Sequence, residues 1–154
     1  MSAVQDIDRL RGWFAEKILG VNEFRGEHSV TVALDSIAVF LSRCHRDLGY
    51  DLLLDVSSVD HFGDDPRFEV VYELATVDDS KHLRVRSKVG EEEKVASATD
   101  LWPGADWHER EVWDFFGVVF DGPQLVELGD QAAMSLQGDV VGLWTSPGTA
   151  KWHR

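Results

Sequence analysis

Apolar residues recur every three or four positions in three stretches of this chain and alternate with polar residues in others. The helical spacing is clearest in Asp6–Gly20, Asp35–Gly49 and Asp106–Gly117, which we predict to be amphipathic helices. Each stretch begins with an aspartate, a favoured N-cap, and ends at a glycine, which can turn left-handed. Cys44 lies on the apolar stripe of the second helix, so we interpret it as a small core residue.

Strand-like segments fill the spaces between these helices. Val21–Leu34 is expected to form a hairpin that turns near Gly26. Tyr50–Val59 is rich in Leu and Val and is expected to be a central strand, buried on both faces. Phe68–Leu74 and Leu83–Val89 alternate apolar and polar residues. The order α-β-β-α-β-β-β-α predicts a two-layer α+β fold, with the helices packed on one face of a mixed, mainly antiparallel sheet.

The sequences of Phe68–Leu74 and Leu83–Val89 predict how these two strands pair. One antiparallel alignment matches apolar with apolar and acidic with basic side chains. Its facing pairs are Leu74–Leu83 and Tyr72–Val85 on the inner face, and Glu73–Arg84 and Glu69–Lys88 on the outer face. A shift by one residue would spoil both faces together. Exposed pairs of this kind contribute only ~0.2–1 kcal/mol each, so they select the register more than they hold the fold together.

The third helix has an apolar and a charged face. At about 100° per residue, one broad face takes Val112, Trp113, Phe115 and Phe116, and the other takes Arg110, Glu111 and Asp114. Glu109 falls within the apolar arc, which leaves two interpretations. It either completes a capping box with Asp106, or it is a buried carboxylate that needs a cation from another element or another subunit.

Composition limits the classes of function. A hydrophobic content of 44% over 154 residues predicts one compact domain with a core. The formal charge of −13 argues against nucleic acid or an anionic membrane surface as the direct partner. The single Cys44 cannot form an internal disulfide or a thiolate metal site, and the six histidines show no metal-ligand spacing. No signal peptide or membrane-spanning run is recognised, so attachment to a membrane is expected only through partners.

Several motifs together resemble a known family. Glu109-Arg110-Glu111, two spacers, Asp114, two aromatic residues and Gly117 resemble the signature of the C subunit of proton-pumping NADH:quinone oxidoreductase, the bacterial complex I. The similarity extends through the Arg67–Tyr72 and Ala98–Pro103 segments and covers roughly Leu52 to Gly122. Membrane-bound energy-converting hydrogenases and formate hydrogenlyases contain a related version. An equivalent subunit of such a complex is therefore the alternative.

The resemblance implies a part in the transfer of electrons from NADH to quinone, coupled to proton translocation. It implies a subunit without catalytic residues, metal or redox centre, in the peripheral arm on the cytoplasmic side of the bacterial membrane. FMN, iron–sulfur clusters, NADH and quinone would then belong to partner subunits. The expected neighbours are chiefly the quinone-reducing D subunit, with the B and I subunits. We assign Glu109, Arg110, Glu111 and Asp114 to ion pairs with a partner or between domains, and Gly117 to the turn that ends the helix. The alternative is that Arg110 and Asp114 form an ordinary ion pair within the helix.

Two other classes of function are less well supported by the residues. An acid/base enzyme could use Glu109 with Glu111 or Asp114, but Glu109 and Glu111 point about 200° apart on one helix and cannot flank one substrate bond. A nucleic-acid-binding module could use the six tryptophans for stacking. No basic groove surrounds them, and the charge balance opposes it.

The C-terminal part departs from the family pattern. We therefore divide the chain into a domain at 1–122 and a divergent tail at 123–154. Where the family continues Gly-His-Pro and then a basic run, Gly122 is followed directly by Pro123 and the acidic, apolar segment after it. The tail is either a genuine divergent end or a departure from the family's reading frame. Gly129–Arg154 is expected to be weakly ordered without a partner, whereas the resemblance implies that the family uses this end to wrap its neighbour.

Overall fold

The computed structural model describes residues 2–78 and 80–123, which form helices and strands in an α+β arrangement. The helices are α1 (Ala3–Phe14), α2 (Ile37–Arg46) and α3 (Ala105–Phe116). The strands are β1 (Ile18–Phe24), β2 (Glu27–Val32), β3 (Leu52–Asp60), β4 (Phe68–Ala75), β5 (His82–Val89), β6 (Lys94–Ser97) and β7 (Val119–Pro123). The predicted fold class is confirmed, and the predicted order gains two short strands, β6 and β7, on either side of α3.

The main sheet has five strands in the order β1-β2-β5-β4-β3. β2 and β5 run parallel and the other neighbours antiparallel, so the sheet is mixed and mainly antiparallel, as predicted. The predicted register of β4 and β5 is confirmed at all four pairs: Leu74–Leu83, Tyr72–Val85, Glu73–Arg84 and Glu69–Lys88. β6 and β7 pair in parallel as a separate two-stranded sheet.

The hydrophobic core lies between the helices and one face of this sheet. Side chains of α1, α2 and α3 pack there against alternate residues of the strands, including Leu10, Phe40, Val112, Tyr72 and Val85. Cys44 is part of this core, as predicted. The other face of the sheet carries charged pairs: Arg84 donates a hydrogen bond to Glu73, and Arg86 Nη1 lies 2.9 Å from Glu69 Oε1. Glu69 therefore bonds diagonally to Arg86, although Lys88 stands opposite it in the ladder.

The first two helices do not begin at their predicted caps. α1 begins at Ala3, because Ser2 and Gln5 form a capping box in which each side chain accepts the other residue's backbone N–H. α2 follows one turn of 3₁₀ helix, Leu34–Ser36, and its first turn has no side-chain cap. Asp35 instead pairs with Lys17, at 2.8 Å. The cap predictions for Asp6 and Asp35 are therefore wrong.

Asp6 instead forms a buried ion pair. Its Oδ2 lies 2.7 Å from Nζ of Lys81, which also donates to the backbone oxygen of Leu48 at 2.7 Å. The Tyr50 hydroxyl donates to the same Asp6 oxygen at 3.1 Å. Since Lys81 precedes β5 and Leu48 and Tyr50 lie between α2 and β3, this cluster joins α1 to two connections of the sheet.

β3 lies at the edge of the sheet, and the prediction that it is central is wrong. Its apolar residues are not enclosed on both faces, because Leu52, Leu54 and Val59 remain exposed. β4 is the strand enclosed between two neighbours, and seven of its eight residues are buried. α3 packs along β3, so this edge of the sheet is where the candidate site lies.

Among the described residues, no helix is long and apolar enough to cross a bilayer. The prediction of weak order for Gly129–Arg154 lies outside the described residues.

Candidate functional site

The predicted site residues lie on α3, whose two ends are defined by backbone geometry. The helix begins at Ala105, after the bend at Pro103, with Gly104 as N-cap and no side-chain cap. Asp106 lies inside the first turn, where its charge suits the helix dipole, and Glu109 bonds elsewhere, so the predicted capping box is wrong. At the other end Gly117 has φ 75° and donates its N–H to Trp113 O at 2.9 Å. The turn predicted at Gly117 is confirmed.

Glu109 is enclosed completely and joins α3 to the end of β6. Its side chain is 0% exposed. Ser97 Oγ donates to Glu109 Oε1 at 2.8 Å, and the backbone N–H of Ala98 donates to Oε2 at 2.8 Å. Ser97 Oγ also lies 2.9 Å from Thr99 Oγ1, so a short chain of hydroxyl groups continues from the carboxyl. The buried interpretation of Glu109 is therefore correct.

The expected cation, however, is not found among residues 2–78 and 80–123. Burial is the largest influence on Glu109 and raises the pKa of its carboxyl to about 8, against an ordinary value of 4.5. The hydrogen bonds from Ala98 and Ser97 oppose this rise, whereas the charges of Asp106 and Asp100 add to it. Since a carboxyl with this pKa is mostly protonated at pH 7, it needs no cation, and the cost of a buried charge is avoided.

The groups around Glu109 make its surroundings apolar or acidic. The Tyr72 hydroxyl is buried without a hydrogen-bond partner in the described part of the chain. Burial, with a smaller effect of Glu109, raises the pKa of Tyr72 well above its usual value. Burial also raises the pKa of Asp100. The residue before Glu109, His108, has its Nδ1 3.3 Å from Asp55 Oδ1 on β3, without the alignment of a hydrogen bond.

The opposite face of α3 presents the other three predicted site residues to solvent. Arg110, Glu111 and Asp114 are all exposed, as their positions on the helix predicted. Within the described ranges none of them forms an ion pair, so the alternative intrahelical pair between Arg110 and Asp114 is not made. These three charged groups are therefore available for contacts outside the described chain.

Two aromatic residues, Trp107 and Phe115, share this exposed face, which the sequence pattern did not predict. Phe115, predicted on the apolar side with Val112, is 79% exposed, and Trp107 is 65% exposed. The error follows from assuming too broad an apolar arc. On a helix Phe115 lies about 60° outside the buried Val112, whereas Phe116 lies inside and stacks edge-on to Phe68 of β4 at 6.5 Å.

The positions of the carboxyl groups of α3 do not favour the acid/base enzyme. Glu109 is buried and bonded to the end of β6, whereas Glu111 and Asp114 face outward. These carboxyl groups do not face a common space in which a substrate bond could lie between them. Among the described residues no group of three or more His, Cys, Asp or Glu side chains is placed to hold a metal ion.

Comparisons with known proteins support one family. The family described as "Respiratory-chain NADH dehydrogenase, 30 Kd subunit" matches residues 30–128. The C subunit of NADH-quinone oxidoreductase from Citrifermentans bemidjiense is 42% identical over 122 residues, which cover 78% of this chain and 76% of that protein. The protein of the same name from Roseiflexus castenholzii is 45% identical over 120 residues, covering 74% and 67%.

A solved structure has a similar fold. It is a chain of the membrane-bound sulfane sulfur reductase, an archaeal respiratory membrane complex, with a TM-score of 0.66 and 26% identity. The match covers 79% of this chain and 71% of that one. It agrees with the α+β arrangement described above. With the family match across most of the domain, the chain belongs to the family of the 30 Kd subunit of respiratory-chain NADH dehydrogenase.

Proposed function

We propose that this chain is a non-redox subunit of the peripheral arm of NADH:quinone oxidoreductase, the enzyme that couples electron transfer from NADH to quinone with proton translocation. Membership of the family carries this proposal, because relatives that match most of the chain are named as the C subunit of that enzyme. FMN, the iron–sulfur clusters, NADH and quinone are held by other subunits. The chain acts on the cytoplasmic side of the membrane, attached through its partners.

In this role the exposed charges of α3 contact another subunit. Arg110, Glu111 and Asp114 have no ion-pair partner in the described part of the chain, so contact with complementary charges would not break existing pairs. Glu109 has a different role, because its buried carboxyl holds the helix on β6 rather than touching a partner. The quinone-reducing D subunit is the expected main partner, with the B and I subunits beside it.

Deletion and complementation test the proposal. Removing the gene should abolish NADH:quinone oxidoreductase activity of the membranes and the assembled complex on a native gel, and the full chain should restore both. If the chain instead serves a hydrogenase, deletion will abolish hydrogen evolution and leave NADH-dependent quinone reduction unchanged. That result would overturn the proposal in favour of the alternative.

A charge-reversal variant tests the contact itself. R110E/E111K/D114K should assemble poorly, because it inverts each charge of the exposed face. The matched control is D8K/R11E/E16K, which makes the same total change of charge on exposed residues in and just after α1. Assembly of the control should equal that of the unmodified chain. Equal assembly of both variants would show that the α3 charges do not contact a partner.

A further inference from the structure

The exposed face of α3 is unusual in its aromatic content. We call Trp107, Arg110, Glu111, Asp114 and Phe115 together the outer face of α3; all five side chains are exposed. With Trp107 as the reference, ideal helix geometry places Asp114 about 20° to one side and Glu111 about 40° to the other. Arg110 lies about 60° away on the Asp114 side. Phe115 lies about 80° away on the Glu111 side and about 12 Å further along the axis.

Trp107 therefore lies near the middle of the face in rotation and at its N-terminal end, with Arg110, Glu111 and Asp114 following within about 11 Å along the axis. Large aromatic side chains are enriched at the energetic centres of protein interfaces, where neighbouring groups exclude water. Trp107 is 65% exposed and Phe115 79%, so each leaves most of its apolar surface in water in the isolated chain. Burial of such rings against a partner is favourable by roughly 25 cal/mol per Å² of apolar area.

β3 and the loop that follows it also carry exposed apolar residues. β3 lies beside α3 at the sheet edge, with Leu54 50% and Val59 39% exposed. Phe62, which follows β3, is 83% exposed and lies under the Arg67 guanidinium at 4.9 Å. Large apolar residues left exposed together mark sites of protein interaction, and on α3 these are Trp107 and Phe115.

Charge determines the kind of partner that fits. The outer face of α3 has one cation and two carboxylates, and the whole chain has a charge of −13. Each copy of this face has a net charge of −1 and each chain one of −13, so two copies would repel each other. A partner surface with apolar recesses and an excess of Lys or Arg around them would match both the rings and the carboxylates.

We propose that the outer face of α3 docks by inserting Trp107, with Phe115 beside it, into apolar recesses of a basic surface on another subunit of the quinone oxidoreductase. Trp107 is the main anchor, and Glu111 and Asp114 receive the surrounding cations. The proposal rests on the proposed function and adds the chemistry of the partner surface to it.

The test compares two double variants of the full chain, each tagged and expressed in a strain that lacks the gene. W107A/F115A removes the two rings of the outer face. The control L19A/F24A removes two side chains of β1 that are about as exposed, at 64% and 65%, on the opposite edge of the sheet. NADH:quinone oxidoreductase captured from solubilised membranes is measured per tagged chain.

Capture by W107A/F115A should fall at least about tenfold, and capture by L19A/F24A should stay within about twofold of the unmodified chain. W107A alone should lose more than F115A alone. Thermal melting of the purified chains shows whether either pair of substitutions has altered the fold. If W107A/F115A melts lower, its capture is compared with that of W107F, which keeps a ring and should retain more than half.

Other outcomes distinguish a failure of the docking proposal from a failure of the proposed function. If the unmodified chain captures no enzyme, the proposed function fails. If it captures the enzyme and W107A/F115A does so equally, the function stands and the docking inference is overturned. An equal loss with both double variants also overturns it. Light scattering gives a further outcome that would overturn the proposal. If the unmodified chain is a dimer and W107A/F115A is a monomer with normal capture, the outer face of α3 binds a second copy of the chain.

Discussion

The backbone N–H of Ala98 donates to Glu109 Oε2 at 2.8 Å, so a side chain of α3 satisfies a buried backbone group just beyond the end of β6. Ser97 supports the second oxygen of the same carboxyl, at 2.8 Å. The two bonds fix the rotation of α3 about its axis, because Glu109 lies on the inward side of the helix. The direction of the outer face of α3 therefore depends on a residue that no partner touches.

Stability should fall as the pH rises through the range in which Glu109 loses its proton. Burial raises the pKa of this carboxyl from 4.5 to about 8, so between these values the native state holds a proton that the unfolded state has released. Stability is greatest below the unfolded pKa and is lost as the pH rises through the folded one, with a total on the order of 5 kcal/mol. E109Q should lack this component, because Gln can donate to Ser97 Oγ and accept from Ala98.

Denaturant unfolding between pH 4.5 and 9 measures the effect as a difference between variants. E109Q should equal the unmodified chain near pH 5 to within about 1 kcal/mol, as expected for a near-isosteric change, and exceed it in stability at pH 9. E111Q makes the same chemical change two residues away on the exposed face, so its profile should follow the unmodified chain. Parallel profiles for E109Q and the unmodified chain would contradict the buried, protonated carboxyl.

Removal of the cation from the Asp6–Lys81 pair should be costly. K81M leaves a fully buried Asp6 carboxylate that, among the described residues, keeps the Tyr50 hydroxyl as its side-chain donor, and the expected loss is about 3–5 kcal/mol of unfolding free energy. D6N/K81M removes both charges and should be more stable than K81M alone. A double-mutant cycle with D6N measures the coupling. If the losses of stability in D6N and K81M add up to that of D6N/K81M, the 2.7 Å contact between Asp6 and Lys81 contributes no coupling energy.

Most of the sheet and the sides of its helices could be predicted from periodicity. The β4–β5 register was predicted correctly because burial and charge constrain it from both faces, so a shift of one residue has two penalties. The inward position of Glu109 was also predicted, since it depends only on helix geometry. The exposure of Arg110, Glu111 and Asp114 was predicted by the same argument.

The wrong predictions concern features that depend on residues distant in sequence and close in the fold. Asp6 looked like a cap, yet a buried cation 75 residues away holds it, and only the Ser2–Gln5 spacing indicated the real cap. Tyr50–Val59 looked central because its composition is apolar, but composition does not determine strand order, and β4 took the enclosed position. The cation expected for Glu109 is absent from the described residues because the alternative to pairing a buried charge is to neutralise it with a proton.

Gly117 should be sensitive to substitution for a purely conformational reason. It has φ 75°, and a Cβ added there meets nothing within 4 Å, so G117A should cost about 1 kcal/mol of unfolding free energy through backbone strain rather than a clash. Asn tolerates this conformation better than Ala, and G117N should recover part of the loss.

The matched control for G117A is G12A. Gly12 lies inside α1 without a positive φ, and a Cβ added there also meets nothing within 4 Å. The same Gly→Ala change should therefore stabilise the chain by about 0.5–1 kcal/mol, because Ala is the better helix former. Chemical denaturation of both variants measures the two changes in unfolding free energy, which should have opposite signs. If G117A is neutral or stabilising while G12A behaves as expected, α3 does not end in a left-handed turn, and Gly117 is not required for the chain to leave the helix towards β7.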